Sequence, residues 1–93
     1  MKIVRSKKYT KSLQEALKFI SLDSGQRALN FKHELDEQVN NLDYMPFKFR
    51  QSIYFEDKNI RDLIFKGYTI VYKIDEEKKI ITIVGIRNTQ EVL

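Results

Sequence analysis

The sequence predicts an α+β domain: a short N-terminal strand, then an antiparallel helical hairpin packed on a mainly antiparallel sheet of about four strands. Three observations carry that prediction. From Lys7 to about Leu22, and again from about Ser24 to Leu42, apolar residues recur at helical spacing. From Asn59 to Leu93 the pattern changes to apolar runs, broken by a glycine–tyrosine step and a charged turn. Ninety-three residues suffice for one hydrophobic core and not for two, so residues 1–93 are read as a single domain.

Lys2 to Arg5 is short and β-branched in its middle, which reads as a first strand. Ser6 follows, where its hydroxyl can accept a hydrogen bond from an early helical amide and cap the first helix. Tyr9, Leu13, Ala16, Leu17 and Ile20 then share one helical face, with Lys7, Lys11, Gln14 and Lys18 in a separate polar stripe. Asp23-Ser24-Gly25 interrupts the period, and Asp23 with Gln26 resembles a capping box for the second helix. On that helix Ala28, Phe31, Leu35, Val39 and Leu42 form the apolar face, and the short connection makes the two helices antiparallel neighbours. Pro46 ends it, because proline disfavours helical geometry in the residue before it.

Lys48 to Lys58 has no clear period and is expected to be a loop, with Ser52 to Phe55 able to add a short strand. Three strands follow it. In the middle one Tyr68, Ile70, Tyr72 and Ile74 share a face, opposite Thr69, Val71 and Lys73. In the last, Ile81 and Ile83 oppose Ile80, Thr82 and Val84, so both faces are apolar. A strand apolar on both sides is usually central and covered twice. The helices cover one face, and a partner is the expected cover for the other.

Composition narrows the function classes. The formal net charge is +4, unevenly spread: residues 1–20 hold six cations against Glu15 alone, while residues 21–45 hold five acids against Arg27 and Lys32. Such asymmetry suits an anionic partner, nucleic acid or an acidic protein, or else a solvated lysine face. Without cysteine there are no disulfides and no thiolate zinc sites, which fits a cytoplasmic protein. No uncharged eighteen-residue run exists to span a membrane, and the N-terminus lacks the apolar block of a secretory signal. A single histidine, His33, makes no metal site, and the pairs Glu34/Glu37 and Glu76/Glu77 lack any partnering histidine for acid–base work. The three glycines are isolated, so there is no phosphate loop. No cofactor and no metal are expected.

Three stretches in this order carry a family resemblance: Ile60-Arg61-Asp62-Leu63, then Gly67-Tyr68-Thr69-Ile70-Val71-Tyr72, then Val84-Gly85-Ile86-Arg87. With the opening Lys2 to Ser6, the chain resembles the RelE/ParE superfamily of toxins from type II toxin–antitoxin modules over nearly its whole length. The resemblance implies growth arrest, a role in plasmid stabilisation, and neutralisation by a cognate antitoxin with an acidic toxin-binding tail. Its two branches differ in target. RelE-like toxins cut messenger RNA in the ribosome, and by resemblance Arg87 stands where that branch has a phosphate-binding arginine, with Arg61 and Lys66 as further cations. The branch's late tyrosine, however, falls at Leu93 and the arginine after its strand tyrosine at Thr69. A nuclease would then need Glu91 or Tyr68 to carry the proton, or electrostatics alone. ParE-like toxins lack that catalytic set, and characterised members inhibit DNA gyrase. The resemblance to this branch is the stronger, and it implies binding rather than catalysis.

The residues expected to meet a target or an antitoxin are Arg61, Lys66, Tyr68 and Arg87. Arg61 and Arg87 can pair bidentately with a carboxylate of a partner, or else be salt-bridged to Asp62 or Glu91 or simply solvated. Tyr68 and Tyr72 can anchor an interface but share a face with Ile70 and Ile74, as core residues do. Lys7, Lys11 and Lys18 can contact a phosphate backbone, or simply be solvated.

Overall fold

A computed structural model describes residues 1–89; Glu91 and Leu93 lie outside the described residues. Strand β1 (Lys2–Arg5) leads into helix α1 (Lys7–Asp23) and helix α2 (Gly25–Asn40), which ends in a 3₁₀ turn at Asn41–Asp43. A long connection then reaches β2 (Ile60–Phe65), β3 (Tyr68–Asp75) and β4 (Ile80–Asn88). The strands form one sheet in the order β1-β4-β3-β2, antiparallel except that β1 runs parallel to β4. The predicted α+β class and its four strands are what the chain adopts, with β4 running four residues beyond the expected end at Val84.

Ser6 caps α1 as its position suggests. Its Oγ accepts from the Tyr9 amide at 3.0 Å and donates to the Val84 carbonyl at 2.9 Å, tying the helix start to β4. The helical hairpin turns on Ser24 rather than on the expected Asp23 capping box. Ser24 has extended backbone, its N–H donates to the Ile20 carbonyl to close α1, and its Oγ accepts from the Arg27 amide to open α2. Asp23 cannot cap because it is still helical, and it pairs with Arg27 at 2.6 Å instead. Gln26 bonds to Asn30.

The core lies between the hairpin and one sheet face. Tyr9 and Leu13 of α1, with Phe31, Leu35 and Val39 of α2, meet Leu63, Ile70, Tyr72, Ile74, Ile81 and Ile83. Of these, Leu35, Val39, Ile70, Tyr72, Ile81 and Ile83 expose nothing to solvent. Tyr72 is buried among them because its hydroxyl has a partner, the Pro46 carbonyl at 2.7 Å. Burial pushes its phenol up to about 12, with Arg61 opposing the shift and Asp62 adding to it.

Two irregularities position the functional surface. Lys66 and Gly67 both have positive φ, making the two-residue turn that suits the twist of a β2–β3 hairpin. In β4, Gly85 lies opposite Val71 but Ile83 lies opposite Tyr72, so Val84 is an extra residue. This bulge reverses the alternation: Ile83 and Ile86 both face the helices, and Arg87, opposite Thr69, faces the other side.

No strand forms at Ser52 to Phe55. The segment touches the β2 edge through one bridge, Gln51 with Arg61, flanked by bonds from Ser52 N to the Ile60 carbonyl and from Asp62 N to the Arg50 carbonyl. It then leaves the sheet plane as a strap. Among the described residues, no helix is long and apolar enough to cross a membrane.

Candidate functional site

The sheet face away from the helices carries Asp62, Thr69, Val71, Thr82 and Arg87 by strand register. The expectation that a partner covers this face needs dividing. The strap, residues 50–55, already covers the β2–β3 half, where Asp62, Thr69 and Val71 are buried. Asp62 is its anchor: Oδ2 accepts from the Ile53 amide at 3.2 Å and faces Arg50 at 3.4 Å. Asp62 Oδ1 and Thr69 Oγ1 are buried there without a hydrogen-bond partner among the described residues, a deficit of about 1–3 kcal/mol for each such atom.

Beside the strap the β4 half remains open as a groove of about 360 Å³. Val71, Val84 and Gly85 form its floor and Tyr54 and Phe55 its strap-side wall, with Lys8 and Arg87 at its margins. Gly85 matters for shape: a Cβ placed there would reach into the groove and stand 4.0 Å from Lys8 Cε. The Arg87 guanidinium lies over the Tyr54 ring, 4.6 Å from its centroid. Neither Lys8 nor Arg87 is in a salt bridge or side-chain hydrogen bond among the described residues, whereas Arg27, Lys32, Arg50 and Lys66 are all in salt bridges.

The four residues singled out in the sequence do not converge. Arg61 lies opposite Tyr72 and so belongs to the helix side of β2, the reverse of Arg87. Its Nε donates to the Lys58 carbonyl at 2.8 Å, an Nη to the Phe49 carbonyl at 3.0 Å, and its guanidinium covers the Phe47 ring. All of these hold the long connection in place. Lys66, in the hairpin turn, pairs with Glu34 of α2 at 2.6 Å. Tyr68 packs edge-on against Phe31 on the helix side. Along β3 the positions opposite Arg61 and Arg87 are three residues, or about 10 Å, apart and on opposite faces.

Thr69, the position at which the RelE-like resemblance would require an arginine, is buried. Lys7, Lys11 and Lys18 are exposed on α1, but only their neighbour Lys8 reaches the groove. His33 is exposed beside Glu37, and no group of three metal-binding side chains occurs among the described residues. Sequence reasoning missed Lys8 and Tyr54. One signal could have found the groove: a lone glycine inside an apolar strand marks a bulge or a close approach.

A two-helix hairpin on one face of a β1-β4-β3-β2 sheet is the scaffold of the RelE/ParE class of toxins. The family can be stated more narrowly. The family model described as the ParE toxin of the type II toxin–antitoxin system parDE matches residues 3–93, and the chain belongs to that family. Among solved structures it is similar to one titled the chromosomal ParDE toxin–antitoxin system from P. aeruginosa. The TM-score is 0.79 at 18% identity, over 97% of each chain, a likeness of fold. No curated protein matches the sequence.

Proposed function

We propose that this ParE-family toxin arrests growth by binding DNA gyrase in the cytoplasm, and that a cognate antitoxin neutralises it. Membership of the family over residues 3–93 carries the reading. The geometry supports binding over RNA cleavage. A nuclease would need several cations around one phosphate, but Arg61 and Lys66 are engaged by the Phe49 and Lys58 carbonyls and by Glu34, and Arg87 lies on the opposite face with Lys8 as its neighbour across the groove. The antitoxin is expected to cover the open half of the sheet face and bring carboxylates to its cations.

The test is a gel assay of purified protein with gyrase and relaxed plasmid, scoring lost supercoiling and trapped double-strand breaks. Wild-type protein should inhibit, and Arg87→Ala should inhibit less. Unimpaired gyrase at large toxin excess overturns the reading. Messenger RNA cut on ribosomes would then indicate the nuclease branch, and no growth arrest on induction a non-toxic binding module.

A further inference from the structure

Helix α1 carries a charge that the rest of the hairpin does not balance. Lys7, Lys11 and Lys18 recur at helical spacing on the side of α1 away from its buried Tyr9 and Leu13. All three are exposed, and none is in a salt bridge among the described residues. The acids of the hairpin are engaged elsewhere: Asp23 by Arg27, Glu34 by Lys66, Asp36 by Lys32 and Glu37 by His33. Glu15, the other acid of α1, lies on a different flank, with Ser12 and Phe19 near Ile86 of β4. Arg5, just before the helix, also keeps its charge, because its guanidinium donates to the neutral Asn40 amide oxygen at 3.0 Å. From Lys7 to Lys18 the stripe is about 16 Å long at the rise of an α-helix. Phosphates of one DNA strand recur every ~3.4 Å along the duplex, so the stripe passes about five of them.

We propose that Lys7, Lys11 and Lys18 lie along the phosphate backbone of the DNA duplex that gyrase holds, so that the toxin binds the gyrase–DNA complex in preference to gyrase alone. The inference rests on the gyrase reading above and adds the second partner in that complex and the residues that meet it. Charge complementarity favours a polyanion, since three cations in a row have no acid of their own to meet. Each ammonium is a point charge on a flexible stem, which suits a phosphate and reads no base sequence. An acidic protein surface fits less well. Protein interfaces centre on apolar or aromatic anchors, whereas Thr10, Gln14 and Ser21, which share the stripe, are polar. The exposed Leu29 adjoins it only at the Lys18 end. The stripe shares no residue with the groove on the open half of the sheet.

The experiment measures the affinity of labelled toxin for purified gyrase, bare and loaded with a linear DNA duplex. Wild-type toxin is compared with the combined variant Lys7→Gln, Lys11→Gln, Lys18→Gln. A second combined variant, Lys58→Gln, Lys73→Gln, Lys78→Gln, removes the same charge from exposed positions off the stripe and serves as control. Circular dichroism and melting confirm that both variants are folded. Loading gyrase with DNA should tighten wild-type and control binding by roughly tenfold or more, and the stripe variant should lose that gain. Three lost phosphate contacts flatten the salt dependence by about 0.9 each. Going from about 50 to 200 mM salt should therefore weaken wild-type binding to loaded gyrase about fortyfold more than that of the stripe variant. A gain from DNA that is absent in wild type, or kept by the stripe variant, overturns the inference and leaves the gyrase reading standing. A stripe variant weakened equally on bare and loaded gyrase overturns it in favour of an acidic protein surface. Wild-type toxin that binds neither form and leaves supercoiling intact overturns both readings.

Discussion

Replacing Arg61 by alanine should damage the fold before it damages any contact with a target. Its two hydrogen bonds to the Lys58 and Phe49 carbonyls come from a charged donor, and such bonds contribute about 1.5–3 kcal/mol when shielded. The bond to Lys58 is exposed, so water replaces much of it and about 0.5–1 kcal/mol is the better figure. The partly buried bond to Phe49 keeps about 1.5 kcal/mol, and the guanidinium over Phe47 adds about 0.5–1 kcal/mol. The loss is therefore about 3 kcal/mol, a large share of the stability of a domain this size. With a urea m-value of about 1.5 kcal/mol/M, the unfolding midpoint should fall by about 2 M. Arg61→Lys should recover only part, since an ammonium on one flexible stem cannot reproduce a planar fork aimed at two carbonyls. Equilibrium urea unfolding followed by circular dichroism decides the matter. A midpoint within about 0.3 M of wild type would show that these contacts do not hold the connection and would return Arg61 to the list of target-facing residues.

Three further outcomes follow from buried and half-buried hydroxyls. Burial pushes the Tyr9 and Tyr72 phenols up to about 12, against 10.0 for an unperturbed tyrosine. Between pH 10 and 12 the unfolded chain releases protons that the folded chain keeps, so stability should fall as pH rises through that window and stay flat just below it. Tyr72→Phe should cost about 1 kcal/mol at neutral pH, through the lost bond to Pro46, and reduce the alkaline slope; urea midpoints taken across pH 8–12 measure both. Ser6→Ala removes a helix cap and a tie to β4 in one step, so a loss of about 1–2 kcal/mol is expected in thermal melts.

Hydrophobic periodicity made the elements readable because it reports which side of each element is dry. Tyr68, Ile70, Tyr72 and Ile74 do share the helix side of β3, and the two helices begin and end within two or three residues of where their patterns change. What periodicity cannot report is a partner distant in sequence. Arg61 owes its role to carbonyls in a stretch with no period of its own, and the strap that puts Tyr54 beneath Arg87 is anchored by a buried Asp62. The reversal at Val84 was hidden for a related reason. Ile80 to Val84 is apolar at nearly every position, so a shift of phase leaves no mark until Arg87 appears on the outer face. Lys8 looked like one more member of a lysine-rich helix, and only the parallel pairing of β1 with β4 brings it beside Gly85.

That parallel pairing also dictates an order of events during synthesis. Lys2 to Arg5 leave the ribosome well before the strand they pair with, residues 80–83. At about 5–20 residues per second the opening strand waits roughly 4–16 s before its neighbour has been polymerised. Until then β3 also lacks one of its two neighbours, and the apolar side of the hairpin has no complete sheet to rest on. Until residues 80–83 have been made the sheet cannot be completed, and the exposed apolar segments of the hairpin are open to chaperones and to proteases.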